Sequence, residues 1–362
     1  MNLRKSKRGK PTFAIALSVL FLVFLSYGSG GFSTPATPAP VATPPEYLLR
    51  FASIAPEGSP WHAYFSIISK RVEEQTKGRV AYKMYLGGAL GSEIATIQLL
   101  QQGKLEGFGG TLTTLASAYN SPELNITELP FMFRNREEAD YIVDEVLFVD
   151  ISKILEKNGV ILLRLVDAGW CSFASRVKPL ENAGSFKKLR MRAQHSVVHQ
   201  EMYKALGAYP VSIAATEVLS SLQGGAIDGV DSPLLFIYGA GWYTILRHIT
   251  LTKHIHQVAA IVISKQFFNS LPEEIRRVIV DDQKKETLLG RKLLREKEDQ
   301  ILPVLVQKGV KVIEPSESVR DDMHKRLYPV YKKYRESSPY ASKLLDKVNA
   351  ALAEYRRRKP GG

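Results

Sequence analysis

Three kinds of side chain in this sequence could do chemistry, and their spacing narrows what each can do. The first is histidine. His195 and His199 stand four apart and His254 and His256 two apart, while His62, His248 and His324 are scattered. A pair at i, i+4 on a helix could bind zinc with a third ligand, although a solvated helix face is the simpler account. The second is Cys171, the lone cysteine, which permits neither a disulfide nor a thiolate metal site and reads as a small buried side chain. The third is arginine. Arg190 and Arg192 alternate along Leu189-Arg190-Met191-Arg192, so a regular strand would place them on one face. A guanidinium is always charged and takes a carboxylate bidentately at fixed geometry. Such a group suits an acidic ligand; its alternative is a structural ion pair.

Signatures of catalysis are missing. The sequence has no HExxH, no GxSxG, no phosphate-binding P-loop and no paired-cysteine metal site. An enzyme is therefore the weaker class, which turnover assays or metal analysis would test, and neither a cofactor nor a metal is expected. Nucleic acid is not expected as a partner either, despite a net charge of +13. Five of those charges, Arg4, Lys5, Lys7, Arg8 and Lys10, belong to the first ten residues. Further basic residues, among them Arg276, Arg277, Arg291 and Arg295, alternate with Glu273, Glu274, Asp281 and Glu286, the pattern of a solvated helix face. Arg356–Lys359 read as a frayed basic end.

The elements that must position these groups begin after a leader. The basic start, the apolar run Phe13–Leu25 and a small-residue tail to Ser33 together form a secretory signal peptide. That run is short of the ~20 residues that span a bilayer; an uncleaved signal anchor is the alternative. Cleavage is expected between about Gly28 and Ala36. Residues 34–45 (TPATPAPVATPP) form a Pro-rich tether. From Glu46 onward strands and helices alternate. Strands are expected at Leu48–Ile54, Arg79–Tyr85, Leu105–Phe108, Val160–Val166, Leu189–Ala193, Ala226–Val230, Ala259–Ser264 and Val310–Ile313. Helices are expected after Ser59-Pro60, at Glu93–Gln102, Glu137–Leu155, Val197–Leu206 and Thr216–Leu222, and as one long helix from Pro272 that Pro303 ends or kinks. The alternation implies an α/β fold with mostly parallel sheets covered on both faces.

One repeat suggests two similar halves. Leu100-Gln101-Gln102-Gly103-Lys104-Leu105-Glu106-Gly107-Phe108 matches Leu222-Gln223-Gly224-Gly225-Ala226-Ile227-Asp228-Gly229-Val230. In each copy a helix ends at a glycine able to take a positive φ, and a short buried strand follows.

Eight segments in order, from about Leu48 to Tyr334, resemble the DctP-type extracytoplasmic receptors of tripartite ATP-independent periplasmic (TRAP) transporters. Among them are Phe51-Ala52-Ser53-Ile54-Ala55-Pro56-Glu57-Gly58-Ser59-Pro60-Trp61-His62, Leu129-Pro130-Phe131-Met132-Phe133-Arg134-Asn135 and the long block from Leu189 to Leu234. The resemblance implies a two-lobed periplasmic-binding-protein-like fold with a ligand cleft between the lobes. It also implies a small organic acid as ligand and TRAP membrane permease subunits as partners. On this reading residues 46–167 with 255–298 make lobe I, residues 168–254 with 299–355 make lobe II, and residues 356–362 are a basic tail. A receptor feeding a sensor kinase would look the same along the chain.

Residue by residue, the resemblance puts Arg192 where the family grips the ligand carboxylate. Ser232, in Gly229-Val230-Asp231-Ser232-Pro233, stands where relatives carry an asparagine. Trp170 and Cys171 stand near a place often filled by arginine, and Phe236 follows downstream. Trp61, Glu93 and Thr111 fall near cleft-facing positions of the first lobe. Each has a plainer alternative: Trp170, Phe236 and Trp242 as core, and Glu93 as a favourable charge in its helix's first turn. These departures point to a monocarboxylate with an apolar or aromatic body; the alternative is a hydrophobic non-acid solute.

Overall fold

A computed structural model describes residues 44–359. The signal-like start and all but the last two tether residues lie outside them. The strands are β1 (Tyr47–Ser53), β2 (Val80–Tyr85), β3 (Gly107–Thr111), β4 (Val160–Ser175), β5 (Arg190–Ala193), β6 (Tyr209–Ser212), β7 (Gly229–Pro233), β8 (His248–Ser264) and β9 (Lys311–Ile313). They form one sheet in the order β2-β1-β3-β8-β4-β7-β5-β6, with β9 beside the start of β8. From either edge inward the pattern is the same. A strand lies parallel between two neighbours, β1 between β2 and β3 or β5 between β6 and β7. A long antiparallel strand then crosses to the other half.

The repeat is built into this likeness. Gly103 and Gly225 take φ of +69° and +71°, which a side chain would strain. The acid that follows each glycine locks an arginine on the neighbouring parallel strand. Glu106 accepts from the Arg50 backbone N–H at 2.8 Å and from its Nε at 2.9 Å. Asp228 accepts from the same groups of Arg190 at 2.9 and 3.1 Å. Arg190 is thereby accounted for as an ion pair at a strand edge.

The expectation of mostly parallel pairing holds only for the outer strands. β4 and β8 continue well beyond Val166 and well before Ala259, through Asp167, Gly169 and the His/Thr-rich stretch, and pair antiparallel along their length. Their polar residues are tolerated in a buried strand because they are paired: Asp167 accepts from Arg295 Nε at 2.7 Å. The long helix from Pro272 is two helices, Glu273–Val280 and Gln283–Gln307, broken where Asp282 takes a φ of +56°. The second runs through Pro303. Arg291 and Arg295, read from the sequence as solvated, clamp this helix to Asp140, Asp144 and Asp167, and Arg291 is buried.

Helices cover both faces of the sheet over two apolar clusters. One surrounds Leu115, Ile126, Phe173 and Tyr203, the other Phe65, Val72, Ile237 and Ile275. Residues 356–359 are not a frayed end. The helix Pro339–Arg358 includes Arg356, which donates to Glu138 at 2.7 and 2.8 Å. Lys347 of that helix donates to Asp150 at 2.6 Å, and Tyr355 stacks on Tyr141 at 4.9 Å. Residues 339–355, expected in the second lobe, thus pack against Tyr141 and Asp150.

Candidate functional site

Between the two halves of the sheet lies a cleft of about 680 Å³, counting the part that opens to solvent. Close by, residues of the two halves approach each other: a Cβ at Gly88 would stand 2.6 Å from Thr216 Cγ2, and one at Gly239 would stand 3.1 Å from Pro56 Cγ. Six of the eight residues expected at the site line this cleft: Trp61, Glu93, Thr111, Arg192, Ser232 and Phe236.

Arg192 reaches the cleft from β5. It is 5% exposed, and its Nε donates to the carbonyl of Ile213 at 3.2 Å. Its two terminal nitrogens have no partner, and no carboxylate pairs with it, among the described residues. Those nitrogens open to the cleft, where an anion would complete their hydrogen bonds. The neighbouring Arg190 serves the strand edge instead.

Glu93 begins the helix Glu93–Gln101, just after the N-cap Ser92. The helix terminus favours its negative charge, so both readings of this residue describe one geometry. Its Oε1 accepts from Thr114 Oγ1 at 2.9 Å, and Thr111 Oγ1 lies 3.0 Å from the same hydroxyl. Oε2 has no protein partner among the described residues and is not sealed from the cleft. Ser232 adds a hydroxyl from β7. An aromatic wall joins the halves: Trp61 faces Phe236 at 6.2 Å, Phe236 meets Trp242 edge-on at 5.2 Å, and Trp61 Nε1 donates to the Asp167 carbonyl at 3.2 Å.

Trp170 and Cys171 are not at this site. Pairing of β4 with β8 slips between Asp167 and Gly169, and Gly169 takes a φ of +115°. That bulge turns the strand, so alternation beyond Ala168 no longer faces the cleft. Trp170 points to a separate groove and packs edge-on against His256 at 4.9 Å, while its backbone N–H donates to Glu298 at 2.7 Å. Cys171 is fully buried, and burial, with Asp231 and Glu128 nearby, pushes its thiol well up. Trp242, weighed as core, is almost wholly buried and also lines the cleft.

Sequence reasoning missed what lies behind the inner wall. Gln194 and Gln257 line the cleft. Behind them His199 is 0% exposed, with Nε2 3.1 Å from Glu128 Oε2 and Nδ1 3.3 Å from Asp231 Oδ2. Gln257 Nε2 donates to the same Glu128 oxygen at 3.1 Å, and Tyr203 donates to Asp231 at 2.6 Å. Burial alone would lower the His199 pKa, but Asp231 and Glu128 outweigh it and raise it to about 9. The ring is an imidazolium at neutral pH. Asp231, which burial would raise, is held well below the usual carboxylate range by His199 and His254. The expected solvated pair is thus split: His195 is exposed, whereas His199 is buried on the helix face that carries Val198, Met202 and Tyr203. That shared i+3, i+4 face was the available signal. Among the described residues no group of three or more His, Cys, Asp or Glu could hold a metal ion.

Comparison with known proteins agrees with this geometry. Residues 51–337 match the family described as bacterial extracellular solute-binding protein, family 7, DctP. The 2,3-diketo-L-gulonate-binding periplasmic protein YiaO of Escherichia coli is 26% identical over 301 residues, covering 82% of this chain and 87% of its own. The crystal structure of a TRAP periplasmic solute-binding protein from Sulfitobacter, with bound β-D-galacturonate, superposes with a TM-score of 0.79 at 25% identity, covering 83% and 99% of the two chains. A Haemophilus influenzae TRAP protein with bound L-gulonate gives 0.79 at 24% identity, covering 84% and 99%. No helix among the described residues is long and apolar enough to cross a membrane. An α/β cleft, an unpaired arginine inside it and a family match over most of the chain converge: this protein belongs to the DctP family of extracytoplasmic solute receptors of TRAP transporters.

Proposed function

We propose that this protein captures a hydroxylated monocarboxylate, of the sugar-acid class, and delivers it to TRAP permease subunits without turning it over. The observation that carries the reading is Arg192, a buried cation whose terminal nitrogens lack a partner. A single guanidinium calls for a single carboxylate, and no second free cation among the lining residues favours a dicarboxylate. The same group argues against a non-acid hydrophobic solute, which would leave it unpaired.

The rest of the ligand meets a mixed surface rather than the apolar one expected from sequence. Trp61 and Phe236 offer ring faces to C–H groups, while Glu93 Oε2 and Ser232 are polar and open. A carboxylate oxygen accepts only, so Glu93 needs hydroxyl donors from the ligand. Galacturonate and L-gulonate, carried by the two related structures, have this chemistry. Residues 46–167 with 255–298 and residues 168–254 with 299–338 act as the two lobes, hinged where β4 and β8 cross.

Thermal-shift screening followed by calorimetry tests the reading. Hexuronates and aldonates should bind more tightly than succinate or hexanoate, and mass spectrometry should recover them unchanged. A tightest ligand without an acid group, or with two, would overturn it.

A further inference from the structure

Beyond the groups that meet ligand, we infer that Glu128 and His199 are positioning residues that fix the hydrogen-bond polarity of the cleft's inner wall. Neither reaches the cleft. They act on the two carboxamides that do, Gln194 and Gln257, and the inference rests on the hydroxylated-acid reading above.

An amide side chain presents a donor end and an acceptor end, so its partner on one side dictates what it shows on the other. Gln257 Nε2 lies 3.1 Å from Glu128 Oε2. A carboxylate has nothing to donate, so the NH₂ group is committed to that side. The Gln257 oxygen has no protein partner among the described residues and is not enclosed, which leaves it facing the cleft as an acceptor.

Gln194 is set in the opposite sense. Its Nε2 is the atom placed 3.4 Å from His199 Nε2, and the two ends of the amide exchange places by a flip. His199 Nε2 lies in hydrogen-bond reach of Glu128 at 3.1 Å, while Nδ1 faces Asp231 at 3.3 Å as an ion pair without the alignment of a hydrogen bond. An imidazolium beside two carboxylates carries a proton on both nitrogens and can accept at neither. The Gln194 oxygen therefore belongs against His199, which aims its NH₂ into the cleft. Gln194 follows Arg192 by two residues on the same side of the chain, so two donors stand together at the carboxylate end. Gln257 joins Glu93 as an acceptor for hydroxyls. One buried charge array thus makes one glutamine a donor and the other an acceptor.

Binding of two related acids separates positioning from mere support. The probes are D-glucuronate, D-galacturonate and L-gulonate, with tetrahydropyran-2-carboxylate as the ring acid without hydroxyls; Kd is measured by calorimetry, with competition for weak binders. Glu128→Met removes the acceptor that holds Gln257. It should cut the preference for the tightest hydroxylated acid over the bare ring acid by about tenfold or more, as for one lost polar contact. Affinity for the bare ring acid should stay within about threefold. Glu128→Gln can place its own oxygen where Oε2 stands, accept from both His199 and Gln257, and so restore the preference. Gln257→Met should lose the preference to the same extent, and adding Glu128→Met to it should change nothing further; this variant also serves if Glu128→Met folds poorly. Equal weakening of both acids, or a preference unchanged in both methionine variants, overturns the positioning role while leaving the ligand class standing. Failure of every hydroxylated acid to bind the unaltered protein overturns the ligand class and this inference with it.

Discussion

Arg192→Met separates the grip on ligand from the stability of the fold, because only the grip should be lost. Methionine keeps much of the stem and removes the charge. In the ligand-free protein the guanidinium is buried and has only the Ile213 carbonyl as partner. Because no carboxylate among the described residues depends on this charge, its removal leaves no counter-ion stranded, and the folded state should lose little. At roughly 2 °C per kcal/mol for a chain of this size, the ligand-free Tm should hold to within a few degrees. With ligand the effect is large. Truncating one partner of a buried charge pair costs about 2–5 kcal/mol, or about 30-fold to several thousandfold in Kd. Ligand at 100 times Kd stabilises the unaltered protein by about 2.7 kcal/mol, near 5 °C. The same concentration should shift the variant by less than about 2 °C. Calorimetry and melting curves with and without ligand read both arms. A Kd within threefold of the original would refute the carboxylate clamp. A ligand-free Tm lower by more than about 5 °C would show that Arg192 supports the fold instead.

His199 makes stability depend on alkaline pH. Its folded pKa of about 9 lies above the unfolded 6.5, so its contribution is full below pH 6.5 and is lost as pH rises through 9. At about 1.4 kcal/mol per unit it is worth on the order of 3 kcal/mol. Urea midpoints from pH 6 to 10 should fall more steeply for the unaltered protein than for His199→Gln, and parallel curves would exclude this. Glu286→Leu leaves two guanidiniums, Arg164 and Arg71, each 2.5 Å from Glu286, without their counter-charge. Denaturant unfolding should show a loss of about 3–5 kcal/mol; less than 1 kcal/mol would mean that the pair is not the buried anchor it looks like. Cys171 should stay unlabelled by a thiol reagent in the native protein and react fully in urea, since burial both hides the thiol and raises its pKa; rapid native labelling would contradict its placement.

What the sequence disclosed and what it hid follow from how far each signal reaches. Trp61, Glu93, Thr111, Arg192, Ser232 and Phe236 lie near strand ends or helix starts, where local pattern and family resemblance fix position within a residue or two. They meet at one cleft. Trp170 and Cys171 lie past the slip at Gly169, and no local rule announces a bulge whose cause is the partner strand. The lengths of β4 and β8 were hidden for a related reason. Asp167, Thr252, His254 and His256 read as a break in an apolar run until their partners, such as Arg295 for Asp167, arrive from far along the chain. His199 and Arg291 looked solvated because charge in a helix is usually exposed. Only tertiary pairing with Glu128, Asp231 and Asp144 explains their burial.

The central pair of strands also orders events in time. β3 finds its antiparallel neighbour only in β8, and β4 finds there the longer of its two antiparallel partners; β8 ends at Ser264. The outer strands can pair among themselves earlier, but until some 264 residues have emerged neither half can close its share of the sheet. Pairings this distant in sequence form slowly. The joined sheet is therefore completed only late in synthesis. The same topology forbids cutting the molecule into independently folding halves, because each half borrows part of both β4 and β8.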